Sequence, residues 1–162
     1  MKILVVSDTH KNFKALNAIF DANPDSDIIV HLGDGEMEFQ MLSQQHPEKA
    51  MVYVCGNCDY GNHEISHIIQ VCGIKIFCTH GHRFNVEGGV EYLVHEAALN
   101  GCRAALYGHT HVRFAEEVNG VCVMNPGSPF CPRGGNKPSY GLMEISGSGD
   151  VEMKIVECKL VI

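Results

Sequence analysis

Seven side chains of metal-binding type fall in five short clusters, each after an apolar run: Asp8 with His10, Asp34, Asn57, His80, then His109 with His111. Mixed oxygen and nitrogen donors of this kind suit Mn, Fe, Zn, Co or Ni better than Ca or Mg, and no thiolate is needed. A single tetrahedral ion takes about four ligands, so seven exceed one site. Two ions about 3.5–4 Å apart that share a carboxylate accommodate all of them.

Several clusters have a plainer reading when taken alone. Asp8 or Thr9 suits a helix cap ahead of Asn12, Gly33-Asp34-Gly35 suits a tight turn, and Asn57 after Gly56 suits an Asx-turn. Only the His109 and His111 pair outweighs the plainer reading by itself. On extended backbone, residues two apart point to one side, which would aim Asp8 and His10 together and likewise His109 and His111. Cys55-Gly56-Asn57-Cys58 has the spacing of a redox dithiol, but no helix pattern starts at its first cysteine and no second such pair follows. His31, His46, His63, His67 and His95 belong to no cluster and read as packed or solvated residues.

Ligands scattered over most of a chain meet only if strands carry them to one edge. Ile3 to Ser7, Ile28 to Leu32 and Met51 to Cys55 read as buried strands. Between them, Phe13, Leu16, Ile19 and Phe20 recur at helical spacing, and Met37, Met41 and Leu42 suggest a second, short helix. This β-α-β-α-β opening predicts parallel pairing. Ile65 to Val71 and Ile74 to Thr79 flank Cys72-Gly73 as a hairpin. Val86, Val90, Leu93, Val94 and Ala97 share a helical face that stops at Asn100-Gly101, and Ala104 to Tyr107 is a strand. Val112 to Val118, Val121 to Met124, Tyr140 to Ile145 and Val151 to Val156 then read as a β-meander, with Asn119-Gly120 a hairpin turn. The expectation is an α/β chain, or mixed α+β, with two packed sheets and helices outside, forming one domain over residues 1–162.

Composition fits this picture. Of 162 residues, 45% are hydrophobic and 19% charged, enough to bury a sizeable core and unlike a disordered chain. The net charge of −7 disfavours long nucleic acid, although Asp8, Asp34, Glu36, Glu38 and Asp59 lie in or beside the clusters, where cations would reverse the local sign. No apolar run is long enough for a membrane span, and the first residues lack a signal-peptide pattern, so a cytoplasmic location is expected. The eight cysteines are accordingly expected to be thiols, mostly buried.

Taken in order, Asp8-x-His10, Gly33-Asp34-Gly35, Gly56-Asn57-Cys58-Asp59, Thr79-His80-Gly81-His82 and Gly108-His109-Thr110-His111 resemble the motifs of calcineurin-like metallophosphoesterases, in particular their small bacterial and archaeal phosphodiesterases. Asn125-Pro126-Gly127-Ser128 and Pro132-Arg133-Gly134-Gly135 extend the likeness. The resemblance implies two facing mixed sheets flanked by helices in a four-layer sandwich. It implies two divalent transition-metal ions, with manganese first and Fe, Zn, Ni and Co as alternatives. Asp8, His10, Asp34 and His111 would hold one ion and Asp34, Asn57, His80 and His109 the other, with a bridging hydroxide attacking phosphorus in line.

Many relatives place histidine after the metal-binding asparagine, where this chain has Cys58. A thiol is a poorer cation and a weaker partner for phosphate than imidazolium, which favours a phosphodiester over a more highly charged monoester. Cys58 and His82 are the candidate catalytic residues and Arg133 the candidate substrate contact. The alternatives are a phosphomonoesterase, a nuclease, or a non-catalytic scaffold like the retromer subunit that shares this fold. A small phosphodiester is the expected partner, and self-association is a further expectation.

Overall fold

The computed structural model describes residues 1–158; the last four residues of the expected domain span lie outside it. Sheet one has the order β10-β9-β1-β2-β3 and sheet two β4-β5-β6-β8-β7. The strands of the first are β1 (Lys2–Val6), β2 (Ile28–His31), β3 (Ala50–Tyr53), β9 (Ser139–Ile145) and β10 (Val151–Glu157). Those of the second are β4 (Ser66–Val71), β5 (Ile74–Thr79), β6 (Ala104–Leu106), β7 (Phe114–Val118) and β8 (Val121–Asn125). Helices α1 (Phe13–Asp21), α2 (Glu36–Gln45) and α3 (Glu91–Leu99) complete the described elements.

Period-2 alternation sorts the side chains into layers. Ile3 and Val5 of β1 point inward to join Val30, Ile76, Leu106, Met124 and Met143 between the sheets. Leu4 and Val6 point outward and pack with Leu16, Ile19, Phe20 and Leu42 of α1 and α2. The outer face of sheet two, with Phe77, Ala105 and Val123, packs on Leu93, Val94 and Ala97 of α3. The result is a helix-sheet-sheet-helix sandwich, as the resemblance implied.

β1, β2 and β3 pair in parallel, as the opening pattern predicts. The final strands do not form a meander. β7 and β8 make a hairpin at the edge of sheet two, whereas β9 crosses back to pair antiparallel with β1. β9 is buried along almost its whole length, so it belongs in a sheet interior, and the free edge of β1 supplies that place.

Two element boundaries also differ from expectation. Val86 packs in the α3 cluster without being helical, because Asn85 and Gly89 hold positive φ and the helix begins only at Glu91. Strand β7 starts at Phe114, since His111 is left-handed and Val112 is solvent-exposed. The eight cysteines are unbonded, but only Cys78, Cys102 and Cys122 are buried, fewer than expected for small core residues.

Leu106 is fully buried where the two sheets meet, close below the loop carrying His109. Leu106→Ala should lower stability by about 2–5 kcal/mol, read from the denaturant midpoint at unchanged m-value.

Candidate metal centre

The clusters sit beyond the carboxyl ends of parallel strands: Asp8 after β1, Asp34 after β2, Asn57 after β3, His80 after β5 and His109 after β6. β1, β2 and β3 are consecutive in sheet one, and β5 and β6 are neighbours in sheet two. Facing the sheets therefore brings five loops to one edge.

The loops are sewn together by backbone hydrogen bonds. Asp8 N–H donates to Gly33 O at 3.0 Å, His10 N–H to Asp34 O at 3.0 Å, and Gly108 N–H to His80 O at 2.9 Å. Such close approach explains the glycines. A Cβ on Gly56 would lie 2.4 Å from the Asp34 backbone nitrogen, and one on Gly108 would lie 1.9 Å from Ser7 Oγ.

The expected extended backbone at the paired residues is not found. Asp8 (φ 57°), His10 (44°), Asp34 (55°), His109 (67°) and His111 (58°) are all left-handed. Each such residue costs about 1 kcal/mol or more, and Asp, Asn and His adopt this region most readily of non-glycine types. The side chains converge through sharp loop turns rather than through strand geometry. Nor does Asp8 or Thr9 cap the first helix: Asn12 Oδ1 accepts from Ala15 N–H at 3.0 Å, which leaves Asp8 for the cluster.

All seven residues lie at this edge, linked by close approaches. His10 Nε2 is 3.2 Å from His111 Nε2 and 3.9 Å from Asp34 Oδ2. His111 Nε2 is 3.2 Å from Asp8 Oδ1, and His80 Nε2 is 3.6 Å from Asp34 Oδ2. Asn57 Oδ1 lies 3.0 Å from His80 Nε2 and 2.9 Å from His109 Nδ1. Asp8, Asp34 and His80 group together, as do Asp8, His10 and His111, and so do His10, Asp34 and Cys58.

The protons on the histidine rings decide whether the donor set fits a metal. His80 Nδ1 and His111 Nδ1 each face a carbonyl, Leu32 O and Cys131 O, both at 2.6 Å, so each nitrogen must carry its proton. When these rings are neutral their Nε2 atoms present lone pairs to the centre, beside the oxygens of Asp8, Asp34 and Asn57. Asp8 Oδ1 is buried without a hydrogen-bond partner. Lone pairs converging with no proton between them call for positive charge. Protonation of His111 supplies some: burial lowers its pKa, but Asp8 outweighs burial and raises it. Burial raises the Asp8 carboxyl, yet His111 and His80 bring it below its ordinary value. Divalent cations meet the same demand without a proton, and the residues present fit them.

Cys58 lies beside Asp34, whose Oδ1 accepts from Cys58 N–H at 2.8 Å. Burial first, then the hydrogen bond and charge of Asp34, push the Cys58 thiol up to about 11. His82 stacks near His80 and His109, with ring centroids 5.4 and 6.1 Å away, and its Nδ1 has no partner. Arg133 is exposed, with its N–H bonded to His111 O at 3.0 Å, and its charge acts on His111.

Sequence reading missed the supporting residues. The Asp59 carboxylate accepts from the N–H groups of Asp34, Gly35, Glu36 and Gly56 and from Tyr53 Oη, so it caps α2 from a distant loop. His31 Nδ1 accepts from Gly33 N–H, so its Nε2 donates to Thr9 Oγ1, which in turn donates to Glu38. Ser128 Oγ donates to Asp8 O at 2.8 Å, and Asn125 Nδ2 donates to Gly108 O at 2.9 Å. Glu87 lies 3.1 Å from His109 Nε2, leaving Nδ1 toward Asn57. The Asn125 to Ser128 motif and the Asp59 that ends Gly56-Asn57-Cys58-Asp59 offered a sequence signal, but not for these hydrogen-bonding roles.

A sandwich that gathers carboxylates and imidazoles beyond its parallel strands has the architecture of the metallophosphoesterases. The chain belongs to the calcineurin-like phosphoesterase superfamily, whose domain model matches residues 1–148. It is 31% identical over 159 residues to a probable metallophosphoesterase of Methanocaldococcus jannaschii, covering 96% of this chain and 81% of that one. It is 30% identical over 171 residues to phosphodiesterase YfcE of Escherichia coli, covering 89% and 88%. The crystal structure of a predicted phosphoesterase from Streptococcus pneumoniae superposes with TM-score 0.80 at 28% identity, covering 94% of this chain and 87% of that one. The family binds divalent metals and hydrolyses phosphoesters. No described helix is long and apolar enough to cross a membrane.

His31 is fully buried, and burial lowers its pKa from 6.5 to about 4. Below pH 6.5 the unfolded chain binds a proton that the folded chain refuses, so stability falls as pH drops toward about 4, by up to about 3 kcal/mol. His31→Gln should flatten that part of the stability profile, followed by urea unfolding between pH 4 and 7.

Proposed function

We propose that the chain is a metal-dependent phosphodiesterase acting on a small diester. The observation that carries this reading is the Asp34 carboxylate. Its Oδ1 is occupied by Cys58 N–H, while its Oδ2 faces both His10 and His80. One oxygen facing both ligand groups would suit a pair of ions that share a carboxylate. Asp8, His10, Asp34 and His111 would hold one ion, and Asp34, Asn57, His80 and His109 the second, with manganese the first choice and Fe, Zn, Ni or Co behind it. When bound, such ions supply charge to offset the phosphoryl oxygens and lower the pKa of water that serves as nucleophile.

The protein's own groups do the rest. Hydrogen bonds from the His80 and His111 Nδ1 atoms to carbonyls fix which nitrogen faces the centre. Arg133, exposed and bonded through its backbone N–H to His111 O, would offer its guanidinium to a phosphoryl oxygen. His82, whose ring lies near His80 and His109, and Cys58, with a neutral thiol, would donate hydrogen bonds to the departing ester oxygen. A neutral thiol stabilises a dianionic monoester less than imidazolium would, which is the basis for assigning diesters. Every motif position retains a competent ligand, which disfavours the non-catalytic scaffold.

Asp34→Asn should lower diester turnover by at least about a hundredfold and reduce metal content, measured by elemental analysis of the purified protein. Unchanged activity, or no retained metal in the parent protein, would go against the enzyme reading. With added manganese, a bis-aryl phosphate should turn over faster than its monoester across a panel of divalent metals. Cys58→His should shift the ratio toward the monoester; equal or greater monoesterase activity in the parent would sink the role given to Cys58.

A further inference from the structure

A hollow of about 160 Å³ opens from the metal cluster along His10, Asp34 and Cys58 to Met37 and Tyr60, with Lys11 at its side. Three acids also line it, and all three are consumed by the protein. Glu36 accepts from Tyr60 N–H, Gly61 N–H and His63. Glu38 accepts from Thr9 and Lys11 N–H. Asp59 holds the turn at Asp34.

What faces a ligand is therefore largely apolar. Met37 is 64% exposed and Tyr60 fully exposed. Phosphate itself has no use for a thioether and a phenol ring. Large apolar side chains left in water beside a polar centre are informative when a polar group there would be the simpler choice. Sulfur and aromatic surfaces instead favour a planar π-system. The volume suits one ring system and not a long chain.

We propose that this hollow is a subsite for a planar aromatic group esterified to the phosphate, with Tyr60 and Met37 as its specificity-determining walls. Aryl and nucleobase rings share the required chemistry. The assignment rests on the phosphodiesterase reading above and adds the class of ester group that the enzyme selects.

The test compares manganese-loaded protein on three 2,2,2-trifluoroethyl diesters whose second group is phenyl, thymidine or ethyl, each kcat/KM divided by that ester's uncatalysed rate. At least one ring-bearing ester should be preferred over ethyl by about fivefold to tenfold, the worth of one stacking contact. Preference for phenyl alone or thymidine alone identifies the source of the ring. Tyr60→Ala should abolish the preference and Met37→Ser reduce it, whereas Tyr92→Ala on α3 should keep it. A second arm measures phenylphosphonate against ethylphosphonate binding by calorimetry, with the same variants. Equal turnover of all three diesters, or a preference that survives in the Tyr60→Ala, Met37→Ser double variant, overturns the subsite. If no diester turns over, the phosphodiesterase reading fails by itself, and the phosphonate arm decides the subsite: tighter phenylphosphonate binding lost in Tyr60→Ala upholds it, and equal binding of the two overturns it.

Discussion

Electrostatic crowding governs the carboxyl edge of this sandwich. Lone pairs from Asp8, Asp34, Asn57, His80 and His111 point into one small volume, and left to themselves they repel. The fold must oppose that repulsion whenever protons or cations do not. It does so by fastening the Asp8 loop to the Asp34 loop and the His80 loop to the His109 loop through main-chain hydrogen bonds, and by turning the His80 and His111 protons outward onto carbonyls. The interior between the sheets supplies the rigidity, since Val5, Val30, Leu106 and Met124 fix the strand ends from which the loops leave.

The supporting acids divide the work. Asp8 and Asp34 keep free oxygens for the cluster, while Asp59, Glu36 and Glu38 saturate backbone N–H groups around it. Five acids in one region thus contribute only two to the centre itself. Burial raises the Asp59 carboxyl, but Tyr53 and the surrounding N–H groups hold it below its usual value, so it remains an anion anchoring the start of α2. A carboxylate from a distant loop replaces the side-chain cap that Gly35 cannot provide.

Much of this was legible in the sequence, for identifiable reasons. Apolar runs ending in Asp8, Asp34, Asn57, His80 and His109 mark strand ends because strands and ligand loops obey different chemical needs. The backbone at those residues was not legible. Two histidines separated by one residue suggest extended chain, but His109 and His111 are left-handed, a state imposed by contacts from Asp8, Asn125 and Cys131 that lie far away in sequence. The roles of Asp59 and the His31-Thr9-Glu38 chain were hidden likewise, because their partners are backbone N–H groups or a hydroxyl on other loops. The destination of β9 depended on which strand of sheet one had an unfilled edge, and local periodicity does not reveal that.

That destination carries a consequence for how the protein comes into being. β1 is synthesised well before its neighbour β9, which lies more than a hundred residues later in the chain. The loop carrying Asp8 therefore leaves a strand whose second flank is bare until β9 has been made. Non-local pairing of this kind is slow to close and exposes an open edge meanwhile. Synthesis follows the order of the sequence, whereas the strand beneath Asp8 is completed only by a partner made long after it.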